Sequence, residues 1–140
     1  MKFTLFFGVF MCSFLCFHSC GKEPKKGEYK GTFTGKLETD TTYTTVYYFN
    51  IIRSTKKELR IQEKQSQIIS ILKKYEKDSI AGKIGFGGVY QSDMASSVRF
   101  NFISIEGKYD ENSIRGTFST TFGDANKIYT SEGNFTISAY

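Results

Sequence analysis

The chain has 140 residues, a formal net charge of +5 and an aromatic content of 16%. This length suits one domain with a core of ordinary size and is too short for two. Basic and acidic residues are interspersed through the middle of the chain, which indicates a solvated surface and excludes the concentrated basic face of a nucleic-acid-binding protein. The only histidine is His18, and all three cysteines lie within the first twenty positions.

The first twenty residues have the pattern of a secretory signal. Lys2 gives a positive start, and residues 5–17 form an apolar run that is shorter than the ~20 residues a membrane span needs. Ser19 is a small residue directly before Cys20, whose thiol can accept a lipid. We therefore predict a signal peptide over residues 1–19 and lipidation, by palmitate or related acyl chains, at Cys20. The alternatives are an ordinary secretory signal and an uncleaved anchor.

The segment Ser19-Cys20-Gly21 resembles the cleavage site of Bacteroidota lipoproteins. The resemblance implies a protein held in the cell envelope by an N-terminal lipid. Gly21 after the cysteine is compatible with transport to the outer membrane, and we expect the protein there, on either the periplasmic or the surface side. The mature chain would keep only Cys20, so it can form no internal disulfide. Residues 20–27 are mostly charged and include the only proline, Pro24, so we predict a flexible lipidated tether there.

Residues 28–140 are predicted to form one β-domain, because apolar and polar residues alternate with a period of two. Clear strands are predicted over residues 29–37, 42–52 and 58–63. Residues 68–75 are ambiguous. Ile68, Ile69, Leu72 and Tyr75 fit one face of a helix, whereas the closely spaced isoleucines and the neighbouring strands favour a strand. A strand is the preferred interpretation and a helix the alternative.

Glycines recur in the later strands at positions in phase with apolar residues. The pattern of apolar residue, any residue, Gly, any residue, apolar residue surrounds Gly31, Gly82, Gly107, Gly116 and, less regularly, Gly133. Glycine lacks a Cβ and lets a strand bend or pack closely, so the pattern predicts a strongly coiled or closed sheet.

Two local features are predicted near the second half of the domain. The polar residues 110–112 indicate a turn, which makes residues 102–122 a hairpin. The apolar residues occupy even positions at Val98, Phe100 and Phe102, and odd positions from Ile103 and Ile105 onward. This change of face requires one extra residue, so a β-bulge is expected at residues 102–103.

About eight strands are predicted in an all-β, antiparallel, up-and-down meander. This pattern resembles the calycin architecture, the lipocalin and avidin group of small barrels, with Gly31-Thr32-Phe33 where lipocalins carry Gly-x-Trp. The resemblance implies a small calycin-like β-barrel. The same alternation also allows a β-sandwich, which is the alternative.

The residues after position 20 contain no histidine and no cysteine, so they offer no His base, no thiol nucleophile and no His or Cys metal ligand. The glycine run at residues 85–88 has no Lys-Ser/Thr after it and does not match a phosphate-binding loop. We therefore predict no catalytic residues, no metal site, no cofactor and no enzymatic activity.

The aromatic residues are the candidates for binding, since tyrosine combines an apolar body with a polar tip. For each of them, packing in the core is the competing interpretation. Two hypotheses follow. One is a binding module for a small apolar or amphipathic ligand; the other is a protein-interaction module, such as an inhibitor or envelope assembly factor. The candidate ligand-binding residues are Tyr43, Tyr47, Phe49, Tyr90, Phe100 and Phe102.

Overall fold

The computed structural model describes residues 23–37, 42–86, 90–93, 96–99, 102–123 and 128–140, and for residues 90–93, 96–99 and 122–123 it describes the backbone only. The predicted signal peptide and Cys20 lie outside these residues. Every described element is a strand. The strands are β1 (Gly27–Lys36), β2 (Thr42–Ser54), β3 (Glu58–Glu63), β4 (Ile69–Tyr75), β5 (Ser79–Gly85), β6 (Tyr90–Asp93), β7 (Ser96–Arg99), β8 (Phe102–Tyr109), β9 (Ser113–Gly123) and β10 (Ile128–Ala139).

Eight of these strands form a closed antiparallel barrel in the order β1-β10-β9-β8-β5-β4-β3-β2. Neighbours in the barrel follow one another along the chain, and β1 closes the sheet by pairing with β10. β6 and β7 form a separate two-stranded hairpin between β5 and β8. The predicted all-β meander is confirmed, the sandwich alternative is wrong, and the closed sheet is consistent with a calycin-like barrel.

Residues 69–75 form strand β4, so the helical alternative is wrong. β4 pairs with β3 on one side and β5 on the other, with Leu72 opposite both Leu59 and Gly82. Ser70 and Leu72 face inward, and Ile69, Ile71 and Lys73, which alternate with them, face solvent. The ladder hydrogen bonds on both sides satisfy the backbone of this segment, which outweighs the helical spacing of its apolar residues.

The predicted hairpin is confirmed as β8 and β9, with Tyr109 opposite Ile114. The Asp110 carboxylate caps the turn by accepting hydrogen bonds from the Asn112 amide at 2.8 Å and the Ser113 amide at 2.9 Å. These bonds, led by the one from Asn112, hold the pKa of Asp110 below its usual range.

The predicted bulge at residues 102–103 is wrong. Phe102 faces outward and Ile103 inward, and the pairing of β8 with β5 continues through both residues without a shift. Val98 belongs to the separate β6–β7 hairpin, so its phase need not continue into the barrel. A register shift does occur between β2 and β3, at Ile51 and Arg53.

Two pairs of strands approach closely where glycines face each other. A Cβ on Gly133 would lie 2.0 Å from the Thr34 carbonyl oxygen and 2.5 Å from the Gly35 Cα. A Cβ on Gly116 would lie 2.5 Å from the Gly107 Cα. Only glycine permits these distances, so the inward glycines predicted from the sequence do allow the sheet to coil tightly.

Residues 23–27 lie against one end of the barrel. Pro24 is buried, the Lys25 amide donates a hydrogen bond to the Glu111 carbonyl at 3.2 Å, and the Tyr29 hydroxyl donates one to the Lys25 carbonyl at 2.8 Å. The sequence predicts a flexible tether here, whereas this part of the chain is docked.

Candidate functional site

The interior of the barrel is packed with aromatic rings around Phe33 of β1. The ring centroid of Phe33 lies 5.6 Å from that of Phe118, 5.8 Å from Phe135 and 6.0 Å from Tyr47. Phe49 and Phe86 lie at 6.4 Å and 6.2 Å. Distances of 4.5–7 Å are those of favourable aromatic pairs. The region around Phe33 is therefore a filled core.

The structure separates the six candidate ligand-binding residues. Tyr47 and Phe49 belong to the aromatic core, and half-buried Tyr43 packs against it. Phe102 lies apart from them, on the outer surface of β8. The backbone of Tyr90 is in β6, but its side chain is not described, and Phe100 lies outside the described residues.

The Tyr43 hydroxyl takes part in a short chain of hydrogen bonds. Ser131 Oγ donates to the Lys36 carbonyl at 3.0 Å. A serine hydroxyl has one proton, so the Tyr43 hydroxyl is the donor in its bond to Ser131. Burial raises the pKa of Tyr43, and the bond to Ser131 partly offsets this. The polar tip of Tyr43 thus ties together β1, β2 and β10.

A buried carboxylate, Glu63, lies near Tyr47 at the end of β3. Its side-chain oxygens accept hydrogen bonds from the Gln65 amide at 3.0 Å and from the amide and hydroxyl of Ser66 at 2.6 Å. Burial, with a smaller contribution from the charge of Glu63, raises the pKa of Tyr47. Glu63 therefore holds the turn between β3 and β4. Sequence reasoning missed it, although its phase with Leu59 and Ile61 places it on the inward face.

The outer apolar surface, as we call it, consists of Ile69, Ile71 and Tyr75 of β4 and Phe102 of β8. Their exposed fractions are 53%, 46%, 58% and 42%. The Lys83 ammonium lies 5.2 Å from the centre of the Phe102 ring, within the range of a cation–π contact. The sequence already indicated that an isoleucine of β4 faces outward, since Ile71 and Leu72 are adjacent and cannot both face the interior from one strand.

A second external feature is a groove with charged residues at its border. A shallow groove of about 820 Å³ runs across the outer face of β5, β8, β9 and β10 and is bordered by Lys83, Glu106 and Glu132. A smaller depression of about 480 Å³ lies beside Tyr47, Tyr48 and Tyr140.

Within the described ranges, no three or more His, Cys, Asp or Glu side chains are grouped so as to hold a metal ion. The same residues contain no helix with the length and hydropathy needed to cross a bilayer. No protein-family model, curated protein or solved structure matches this chain.

Proposed function

We propose that this protein is a membrane-anchored, extracytoplasmic, non-catalytic module that binds a protein partner through its outer apolar surface. The observation that carries the proposal is the exposure of Ile69 and Ile71 side by side on β4, outside a barrel whose described interior is filled around Phe33. The signal pattern of residues 1–20 supports the anchor.

A rigid sheet that exposes large apolar side chains is suited to binding a protein. Ile69 and Ile71 are two residues apart on one strand, so their side chains lie on the same face, about 7 Å apart. Large exposed apolar patches on folded proteins commonly mark sites that bind another protein, a membrane or a ligand. All strands of the barrel are paired on both sides, so within the barrel a partner would meet the face of the sheet and not an edge.

The geometry favours this hypothesis over the binding of a small apolar ligand. A ligand inside the barrel would need space beside Tyr47 or Phe49, and both side chains are packed against Phe33 and Phe86. A small-molecule site typically has a volume of at least ~300 Å³. The groove of about 820 Å³ lies on the outside of the barrel, and the depression of about 480 Å³ beside Tyr47 is shared with the exposed residues Tyr48, Lys64 and Tyr140.

Changing the outer apolar surface should weaken partner binding without unfolding the barrel. In the variant Ile69→Ser/Ile71→Ser we expect at least about a tenfold loss of affinity, because apolar anchors at interfaces each contribute more than 1 kcal/mol. Both side chains are exposed, so the thermal midpoint should change little. Quantitative cross-linking in the native membrane, followed by titration of the captured partner, measures the effect.

The matched control is Ile128→Ser, which removes an isoleucine that is 75% exposed at the start of β10. This variant should keep full affinity. Equal affinity of the double variant and the unchanged protein would contradict the proposal, as would an equal loss in the control.

A further inference from the structure

The N-terminal segment fixes which end of the barrel is closest to the predicted lipid. We call this the tether end and define it by residues 23–27 and the turns at residues 55–57, 76–78 and 110–112. Lys25 joins the segment to the third turn through its amide, at 3.2 Å from the Glu111 carbonyl, and through its ammonium, at 3.7 Å from the Glu111 carboxylate.

Contacts around Lys74 join the three turns into one surface. The Tyr109 amide donates to the Asp78 carbonyl at 3.0 Å, and the Lys74 amide donates to the Lys57 carbonyl at 2.8 Å. The Lys74 ammonium donates to the Thr55 carbonyl at 2.7 Å and lies 4.8 Å from the centre of the Tyr109 ring. The tether end is thus a single connected surface.

The chain between Cys20 and Glu23 is too short to hold this surface away from a membrane. Three Cα–Cα steps of 3.8 Å reach at most roughly 11 Å in any conformation. The headgroup layer on each side of a bilayer is about 5–8 Å thick, and the acyl chains of a lipidated cysteine lie below it. Glu23, whose segment is docked on the barrel, must then lie at the headgroups or directly above them.

The residues that define the tether end carry five lysines and five carboxylates, Glu23 among the latter, so a positive face can come only from how these charges are distributed. Lys26, Lys56 and Lys57 are exposed, and among the residues that the structure describes none of them forms an ion pair. The carboxylates of the third turn have cationic neighbours, Lys25 beside Glu111 and Arg115 at 3.9 Å from Asp110.

In the turn at residues 76–78, Glu76 and Asp78 flank Lys77. The tether end is therefore neutral in sum, and its locally positive part is at residues 26 and 55–57, where the lysines have no ion-pair partner among the described residues. Lysines beside a membrane are attracted to anionic headgroups.

We propose that the tether end rests directly on anionic lipid headgroups, with Lys26, Lys56 and Lys57 against the lipid phosphates. This inference rests on the lipid anchor of the proposed function. It makes the barrel stand on the membrane, so the outer apolar surface of β4 faces sideways, where a neighbouring protein in or near the same membrane can reach it.

The opposite end of the barrel should then be far from the lipid. β10 has 12 residues, and a strand of that length covers roughly 40 Å. With the usual tilt of 35–45° in a barrel, its two ends differ in height by about 30 Å. Ile128, at the start of β10, serves as a marker of the far end.

Fluorescence quenching on vesicles tests this orientation. The lipidated protein is placed in phosphatidylcholine vesicles, with or without phosphatidylglycerol, that contain a lipid with a headgroup spin label. Single dyes are attached through Lys57→Cys or Ile128→Cys, since acylated Cys20 does not react. We expect strong quenching at position 57, increased by phosphatidylglycerol, and little quenching at position 128.

The role of the lysines is tested by the variant Lys26→Gln/Lys56→Gln, in which phosphatidylglycerol should no longer increase the quenching at position 57. The control Lys83→Gln should retain that increase in quenching. Equal quenching at positions 57 and 128, or an unchanged increase in the double variant, would overturn the inference.

A separate experiment tests the lipid anchor at Cys20. Cys20→Ala should abolish flotation with vesicles, because the acyl chains supply the stable attachment. If the Cys20→Ala protein floats as well as the unchanged protein, the anchor in the proposed function fails. If only the lipidated protein floats but position 57 is not quenched, the anchor stands and the orientation is wrong.

Discussion

Replacing Phe33 by alanine should lower the free energy of unfolding by about 3–5 kcal/mol, the usual cost of removing a buried phenylalanine ring. Phe33 is almost fully buried, and its ring meets five other aromatic rings. Those rings come from other strands of the barrel and from Phe86 after β5, so their backbones limit how far the gap can collapse. Chemical denaturation of the purified protein measures the change.

The matched control is Phe102→Ala, which removes the same ring from the outer surface. This variant should lose less than about 1 kcal/mol, since its side chain is already partly in water. A similar small loss in Phe33→Ala would show that the barrel interior has spare room. The interior would then suit a ligand, and the small-ligand hypothesis would replace the one proposed here.

Placing a methyl group on Gly133 should disrupt the barrel. In Gly133→Ala the new Cβ would lie 2.0 Å from the Thr34 carbonyl oxygen, which is backbone and cannot rotate away. Strands β1 and β10 would have to separate where they close the sheet. Overpacking in a core typically costs 1–3 kcal/mol and here should reach or exceed about 3 kcal/mol. Thermal unfolding followed by circular dichroism measures the loss.

The neighbouring substitution Asn134→Ala serves as the control, because Asn134 is exposed on the same strand. Its effect should stay within about 0.5 kcal/mol. An unchanged thermal midpoint in Gly133→Ala would mean that β1 and β10 do not approach as closely as the structure shows.

The barrel could be predicted from the sequence because its signals are local. Alternation with a period of two identified most strands, the polar residues at 110–112 identified the hairpin, and glycines in phase with apolar residues indicated strong coiling. The Phe102–Ile103 region could not be assigned correctly. Its phase depends on the separate β6–β7 hairpin that precedes β8, which alternation alone does not reveal.

The candidate binding residues were harder to place from the sequence, because their surroundings depend on which strands pair and pack together in the barrel. Tyr47 and Phe49 are of residue types common in ligand pockets, but Phe33 of β1 and Phe86 after β5 fill the space beside Tyr47 once the barrel closes. Likewise, the docking of Pro24 depends on a turn more than eighty positions away, as the bond from Lys25 to Glu111 shows. No local pattern contains such a contact.

The structural features support one account of how such a protein would work. In the function and orientation proposed here, the filled barrel is a rigid support, the docked N-terminal segment sets its orientation, and the exposed isoleucines on β4 are the binding face. In this account the aromatic residues provide stability, and binding depends on a surface whose residues contribute little to the core.

Native mass spectrometry of the protein extracted from its own membrane shows whether the barrel carries a protein partner or a small molecule. We expect a lipidated protein that carries a protein partner and no small-molecule adduct, with the partner lost in Ile69→Ser/Ile71→Ser and kept in Ile128→Ser. A bound small molecule that persists in the double variant, with no protein partner in any form, would contradict this expectation.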